Sequence, residues 1–225
     1  MNIKNLKLLY EIDIIKTIYF NFKYFGFKKG KILPFFIYWH THLLKTKGKI
    51  IIEGPIYRGM VKIGPHQLGT QNLEFPKTMW EVNGKLIIKG DTMIGRGSKI
   101  CIGPHATLTL GNLFRVTGDT SIICQKEISF GNDCLLSWHI LIMDTDFHHI
   151  LDKNDNVINP PQPINIGNHV WISARSTILK GVSIPNTTVI AANSLITKDI
   201  TESNCIIGGH GKNQQIIKKD IDWKA

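Results

Sequence analysis

The sequence predicts an all-β solenoid, a chain wound into stacked coils of six-residue units between a short flank and a tail. Three observations carry this. Isoleucine recurs at every sixth position from Ile166 through Ile172, Ile178, Ile184, Ile190 and Ile196. A period of six is foreign to a helix but is a multiple of the strand period of two, so one side chain per unit can point inward at each pass. Glycine follows inward positions at Ile63-Gly64, Ile94-Gly95, Ile102-Gly103, Phe130-Gly131 and Ile166-Gly167, where a tolerance of positive φ suits a sharp corner. Finally, the rhythm breaks sharply once, after Ile142, and restarts at Ile164 and Ile166. Fixed-period self-similarity of this kind marks a repeat architecture.

Taken in order, residues 1–48 read as a basic, aromatic-rich flank, expected to be helical. Residues 49–200 read as the coils, with an inserted loop at 144–163, and residues 201–225 as a tail with a basic end. Within the coils, Ile88, Ile94 and Ile100 hold one phase, which Ile102 and Leu108 resume two residues later. Phe130, Leu136 and Ile142 continue after Ile122 and Ile128 by a second two-residue shift, which keeps the same face inward. The clearest coils are 50–65 and 84–200, and Gln67–Trp80 reads as a loop.

Composition bounds the function. The formal net charge is +10, and residues 1–49 hold ten lysines against Glu11 and Asp13. Lys4, Lys7, Glu11 and Asp13 break the apolar character that a signal peptide needs, which gives a cytoplasmic expectation. Ile32–Leu44 is too short to span a bilayer. The flank either packs its aromatics on the solenoid end or attaches peripherally to an anionic membrane surface. No nucleic-acid-binding motif accompanies the basic residues. Cys101, Cys124, Cys134 and Cys205 lie far apart with no paired spacing, as in a reduced protein.

The run from Ile166-Gly167-Asn168-His169-Val170-Trp171 through Asn193-Ser194-Leu195-Ile196-Thr197-Lys198-Asp199, with the loop Asp144-Thr145-Asp146-Phe147-His148, resembles the hexapeptide-repeat acyltransferases, which include maltose, galactoside and polysaccharide O-acetyltransferases. The resemblance covers roughly residues 84–215. It implies a left-handed parallel β-helix, a homotrimer with acetyl-CoA bound between subunits, and no metal.

Transfer of an acetyl group from a thioester to an alcohol needs a base, and a histidine titrating near neutrality suits that task. The family pattern maps the base onto His148 and a usual proline onto His149. Asp144 and Asp146 either orient the imidazole, bind sugar hydroxyls or serve loop structure. Trp138 and Trp171 are candidates for an acceptor wall or for a subunit interface. By resemblance, acetyl-CoA meets Ala174, Ala192, Thr197 and Lys198. Gly208-Gly209-His210-Gly211-Lys212-Asn213 replaces the family's usual turn, and Lys212 is its candidate contact.

The expected function is acetyl-CoA-dependent O-acetylation of a saccharide hydroxyl, in a surface polysaccharide or its precursor. N-acylation of a nucleotide-linked amino sugar is the alternative within the transferases. Outside them stand a non-catalytic solenoid and a γ-type carbonic anhydrase-like lyase, whose His-x4-His zinc spacing is absent here.

Overall fold

The computed structural model describes residues 11–66 and 77–224. It is a left-handed parallel β-helix of three faces. The first face stacks nine strands, running from Phe35–Ile37 to Cys205–Gly208 in parallel and ending in Gln215–Lys219, which pairs antiparallel. The second face has seven strands, from Thr41–Thr46 to Leu195–Ile196, and the third has six, from Lys49–Ile52 to Ser183–Ile184. Apart from a shift between Leu43 and Lys45 in the first coil, parallel neighbours stay in register, so inward residues sit on their counterparts in the next coil; Ile122 pairs with both Ile100 and Ile142.

The six-residue phase is the core. Ile166, Ile172, Ile178, Ile184, Ile190 and Ile196 are all buried, as are Ile88, Ile94, Ile100, Ile102, Leu108, Ile122, Ile128, Phe130, Leu136 and Ile142. Burying an aliphatic side chain of this size contributes roughly 1.5–3 kcal/mol, so the inward column supplies most of the driving force for coiling. Intervening residues point outward, which produces the alternating burial along Ser121–Cys124 and Thr107–Leu110.

Glycine serves the corners differently from the sequence expectation. Of the five glycines that follow inward positions, only Gly64 has positive φ. Gly95, Gly131 and Gly167 are needed because the next coil lies too close for a Cβ: one on Gly95 would meet Thr117 O at 2.1 Å, and one on Gly131 would meet Asn168 N at 2.7 Å, whereas at Gly103 it would meet only the movable Gln125 side chain. Left-handed backbone falls mostly on non-glycine residues, recurring at Leu113, Asp133, His169, Thr187 and Asn204 before successive strands of the first face. Beside those tight glycines runs an asparagine ladder. Asn132, Asn168 and Asn186 each accept, through Oδ1, the backbone N–H of Asn112, Asn132 and Asn168 respectively, at 2.7–2.8 Å. These bonds satisfy corner amides that no strand pairing reaches.

The coils begin earlier than the expected boundary at 49. Helix α1 (Ile14–Gly30), kinked at Gly26, precedes strands Phe35–Ile37 and Thr41–Thr46, which form the first coil. An edge strand exposes unpaired backbone groups, and α1 covers this one. Asn21 donates to Phe35 O at 2.8 Å and accepts from Phe35 N–H at 2.9 Å, while Thr17 Oγ1 accepts from Ile37 N–H at 3.0 Å. Phe20, fully buried, plugs the end of the coil against Phe35 and Trp80. Within the expected loop at 67–80, Thr78–Val82 is instead a strand with Trp80 buried inside, and residues 67–76 lie outside the described residues. So do residues 1–10, including Lys4 and Lys7.

The opposite end also continues past the expected boundary at 200. Cys205–Gly208 adds an eighth parallel strand, and the turn after it folds the chain back. The extreme C-terminus then docks: Trp223 stacks on His169 with centroids 4.3 Å apart and planes 8° from parallel. Trp223 Nε1 donates to His169 O at 2.9 Å.

Candidate active site

The inserted loop leaves the fifth coil at the edge between the second and third faces. Asp144 makes this exit. It is fully buried, and its carboxylate accepts the N–H groups of Gln125, Lys126 and Glu127 at 2.7–2.8 Å. With both oxygens accepting from backbone N–H groups, Asp144 ties the loop to the preceding coil, the loop-structure role among those the sequence left open. Its neighbour Thr145 accepts from Phe147 N–H at 3.0 Å, which helps hold Phe147 at a φ of 61°.

Asp146 is likewise engaged away from histidine. Its Oδ2 accepts from Lys180 Nζ at 2.5 Å and from Asn159 Nδ2 at 2.8 Å. These two bonds, Lys180 first, hold the carboxyl below its ordinary pKa. Lys180 also donates to Asn159 O at 2.8 Å. Asn159 in turn donates to His148 O at 2.9 Å and accepts from Ile150 N–H at 2.6 Å. Lys180 and Asn159 thus tie the two sides of the loop together beneath His148. Neither was singled out from sequence, and their shared reach toward Asp146 arises only once 34 and 13 residues of chain have closed.

His148 itself is exposed, and so is His149. The His148 backbone is fixed by the bond from Asn159 and by its own N–H to Asp146 O at 2.7 Å. Its imidazole is presented to solvent on a braced main chain. Beyond it the loop forms a small projection, closed by the Leu151–Val157 bridge and by Asp152, whose carboxylate accepts from Asn154 and Asn156. Phe147, Ile150, Leu151 and Ile158 are exposed on this projection.

The remaining sequence candidates fall on other parts of the prism. Thr197 and Lys198 lie two coils on, along the same edge as the loop. Gln214 joins them, accepting from Thr197 N–H at 3.3 Å and donating to Lys198 O at 3.0 Å. Lys212 is exposed in the short 3-10 turn Gly211–Asn213 that leads to Gln214. Trp138, Ala174 and Ala192 occupy the opposite edge of the second face, where Arg175 N–H donates to Trp138 O and Asn193 N–H to Ala174 O. Ala174 and Ala192 carry no side chain beyond Cβ, so the backbone along that edge is not covered by their side chains. Trp171 lies outward on the first face. Its Nε1 donates to Ser137 Oγ at 3.1 Å, and its ring lies 6.1 Å from that of Trp223.

Within one chain, therefore, the candidates form two edges and one face. A second-face strand of three residues, spanning roughly 10 Å, separates the His148 edge from the edge bearing Trp138, Ala174 and Ala192. Cys124 and Cys134 are buried, which raises both thiol pKa values, Cys134 to about 12; they belong to the core and not to the loop.

No family model matches the chain. It is 33% identical over 137 residues to a polysialic acid O-acetyltransferase of Escherichia coli, a match covering 60% of this chain and 41% of that protein. It is 32% identical over 97 residues to the galactoside O-acetyltransferase of the same species, covering 42% of this chain and 47% of the relative. Among solved structures, the crystal structure of the polySia specific acetyltransferase NeuO has a TM-score of 0.50 and 25% identity, covering 82% of this chain and 72% of that one. The matches thus span less than half the length of these curated relatives. The resemblance to hexapeptide-repeat O-acetyltransferases, first read from the repeats and the histidine loop, is borne out by these relatives.

Proposed function

We propose that this protein is an acetyl-CoA-dependent O-acetyltransferase whose acceptor is a saccharide hydroxyl. The observation that carries the reading is His148: an exposed imidazole on a main chain braced by Asn159 and Lys180, in the inserted loop of an otherwise regular β-helix. The O-acetyltransferases to which the chain is similar support it.

In this reading His148 takes the proton of the acceptor hydroxyl as that oxygen attacks the thioester carbonyl carbon. In this reading backbone N–H groups lining the cleft between copies stabilise the resulting oxyanion. When the carbon–sulfur bond breaks, the imidazolium returns its proton to the departing thiolate, so no covalent enzyme intermediate forms. Ala174 and Ala192 admit the pantetheine arm, Lys198 and Lys212 meet phosphate charge, and Trp138 and Trp171 wall the acceptor.

Because these groups occupy separate edges of one prism, the reading places the working site between copies of the chain, in a homotrimer. The exposed apolar side chains of the loop projection fit burial against a neighbouring copy. Light scattering in solution checks this, with three times the chain's mass as the expected value. Peripheral attachment to a membrane would use the outward side of α1, where Ile14, Ile15, Ile18 and Tyr19 are exposed near Lys23. Among the described residues no helix is long and apolar enough to cross a membrane. Release of all the protein into the soluble fraction at low salt would remove the attachment from this reading. The activity itself is tested by acceptor-stimulated release of CoA thiol from acetyl-CoA, and its loss in His148→Ala.

A further inference from the structure

Two corners of the prism carry the same device, an aspartate on one coil paired with a histidine on the next. At the edge between the third and first faces, Asp133 Oδ2 of the fifth coil holds His169 Nδ1 of the sixth at 2.6 Å. At the edge between the first and second faces, Asp119 Oδ2 of the fourth coil holds His139 Nδ1 of the fifth at 2.8 Å. All four residues have left-handed backbone, with φ of 54° and 55° in the first pair and 42° and 56° in the second. The pairs differ in what meets the far side of the ring. His169 Nε2 faces Asp222 Oδ1 at 3.0 Å and Trp223 O at 3.1 Å, and the Trp223 ring is stacked on the imidazole. His139 Nε2 has no hydrogen-bond partner among the described residues, and its side chain is 51% exposed.

Three features suit the open pair to a ligand. First, its protonation pattern is set. A carboxylate only accepts hydrogen bonds, so Nδ1 carries the proton and Nε2 of the neutral ring keeps an unshared lone pair. The other carboxylate oxygen of Asp119 lies 3.8 Å from Lys99 Nζ, so both oxygens are met. Second, an aromatic ring stands beside it. Trp138, the preceding residue, is 39% exposed, and its register partner Gly118 in the fourth coil adds no side chain next to it. Third, the pair lies on the edge that the sequence assigns to substrates. Arg175 N–H donates to Trp138 O at 2.9 Å, which sets Ala174 one coil above, and Ala192 follows in the seventh coil. An exposed ion pair adds little to stability, so joining two coils does not account for an imidazole left open beside an exposed tryptophan.

We infer that the Asp119–His139 pair and Trp138 form an acceptor-binding site, in which His139 Nε2 accepts a hydrogen bond from a saccharide hydroxyl. The inference rests on the proposed acetyl transfer and supplies residues for its acceptor side. The C–H face of a sugar ring is apolar and suits the face of the Trp138 indole. The hydroxyl at its rim donates to His139, and Asp119, which does not touch the sugar, positions the imidazole. His148 remains the base, so the hydroxyl held by His139 is a second one, and the acceptor must offer a hydroxyl beyond the one that is acetylated. The edge is thereby divided: coils four and five hold the acceptor, and the Ala174 and Ala192 coils hold the acyl donor.

The test is capture of the full chain, fluorescently labelled and without acetyl-CoA, on an array of immobilised neutral and acidic saccharides. Wild type is compared with His139→Asn, Asp119→Asn, Trp138→Ala and His169→Asn. Asparagine tolerates the left-handed corner, and the fold of each variant is checked by circular dichroism. Wild type should be captured by at least one saccharide. His139→Asn should weaken that capture by about three- to tenfold, the scale of one lost hydrogen bond, and Trp138→Ala should weaken it at least as much. Asp119→Asn should raise the acceptor KM while leaving the KM for acetyl-CoA unchanged. His169→Asn, the same change in the closed pair, should lower the thermal midpoint and leave capture unchanged. Equal capture of wild type and His139→Asn would overturn the inference, and so would capture of wild type by no saccharide. Because no acyl donor is present, His139-dependent capture of a protein that releases no CoA would count against the proposed reaction and leave the site standing. Acceptor-stimulated CoA release with capture independent of His139 would overturn the site alone.

Discussion

Lys180 Nζ lies 2.5 Å from Asp146 Oδ2, joining the sixth coil of the β-helix to the foot of the loop that carries His148. The lysine side chain is 18% exposed and also holds Asn159 O, so one ammonium fixes both ends of the loop. Lys180→Met should leave the coils folded, because the inward column does not use this side chain, but should free the loop. The expected outcome is a fall in acceptor-dependent turnover of about 10- to 100-fold, the scale of effect of small misplacements near a reacting centre. Lys180→Arg should recover part of it. The check is kcat and KM for each variant beside its thermal midpoint.

The same contact has a pH signature. The folded Asp146 carboxyl is held below its ordinary pKa by Lys180 and then Asn159. A group with a depressed folded pKa contributes above its unfolded value and loses the contribution as pH falls through the folded one. Protease cleavage within 147–158 should therefore stay slow at neutral pH and accelerate only in acid below the usual carboxylate range. In Lys180→Met, cleavage should be fast throughout.

The C-terminal dock titrates with the opposite sense. Desolvation lowers the His169 pKa, but hydrogen bonds to Asp133 at 2.6 Å and Asp222 at 3.0 Å outweigh it, and the net shift is upward. A raised folded pKa means that the contribution is complete below the unfolded histidine value and is lost as pH rises through the folded value. Hydrogen exchange in residues 215–224 should accordingly quicken as pH rises past that point, after correction for intrinsic exchange. Trp223→Ala should remove the pH dependence.

Corner geometry gives a fourth expectation. Gly131→Ala forces a methyl to within 2.7 Å of Asn168 N and should destabilise by about 1–3 kcal/mol, as overpacking does. Thr187, a β-branched residue at a φ of 53°, bears the left-handed corner instead. Thr187→Gly should be neutral or stabilise by up to about 1 kcal/mol, because relief of left-handed strain offsets the added chain entropy. Chemical denaturation of both variants decides between close approach and positive φ as the reason for glycine at these corners.

The core was legible because period and phase are properties of one residue type at fixed spacing; every isoleucine in the 166–196 series is buried. The loop was legible as an interruption of that period. What escaped the reading depended on closure through space. The first coil lacks the six-residue isoleucine signal and carries a register shift between Leu43 and Lys45. Trp80 was read as a loop residue, yet it is buried against Phe20 and lies six residues before the buried Leu86, as Val82 does before Ile88, a phase that isoleucine alone does not mark. Asp144 and Asp146 resembled each other in sequence, but one binds three backbone N–H groups and the other a lysine. The roles of Lys180 and Asn159 follow from where the loop lands, which local spacing does not encode.

The most direct test of the proposed activity is release of CoA thiol from acetyl-CoA, with and without saccharide acceptors, for wild type, His148→Ala and His149→Ala. The account expects acceptor-stimulated release in wild type, a loss of about 10²- to 10⁴-fold in His148→Ala, and a much smaller change in His149→Ala. Near-full turnover by His148→Ala would contradict the assignment of His148 as the base. Absence of release by wild type with every saccharide, together with absence of CoA binding, would contradict acetyl transfer itself.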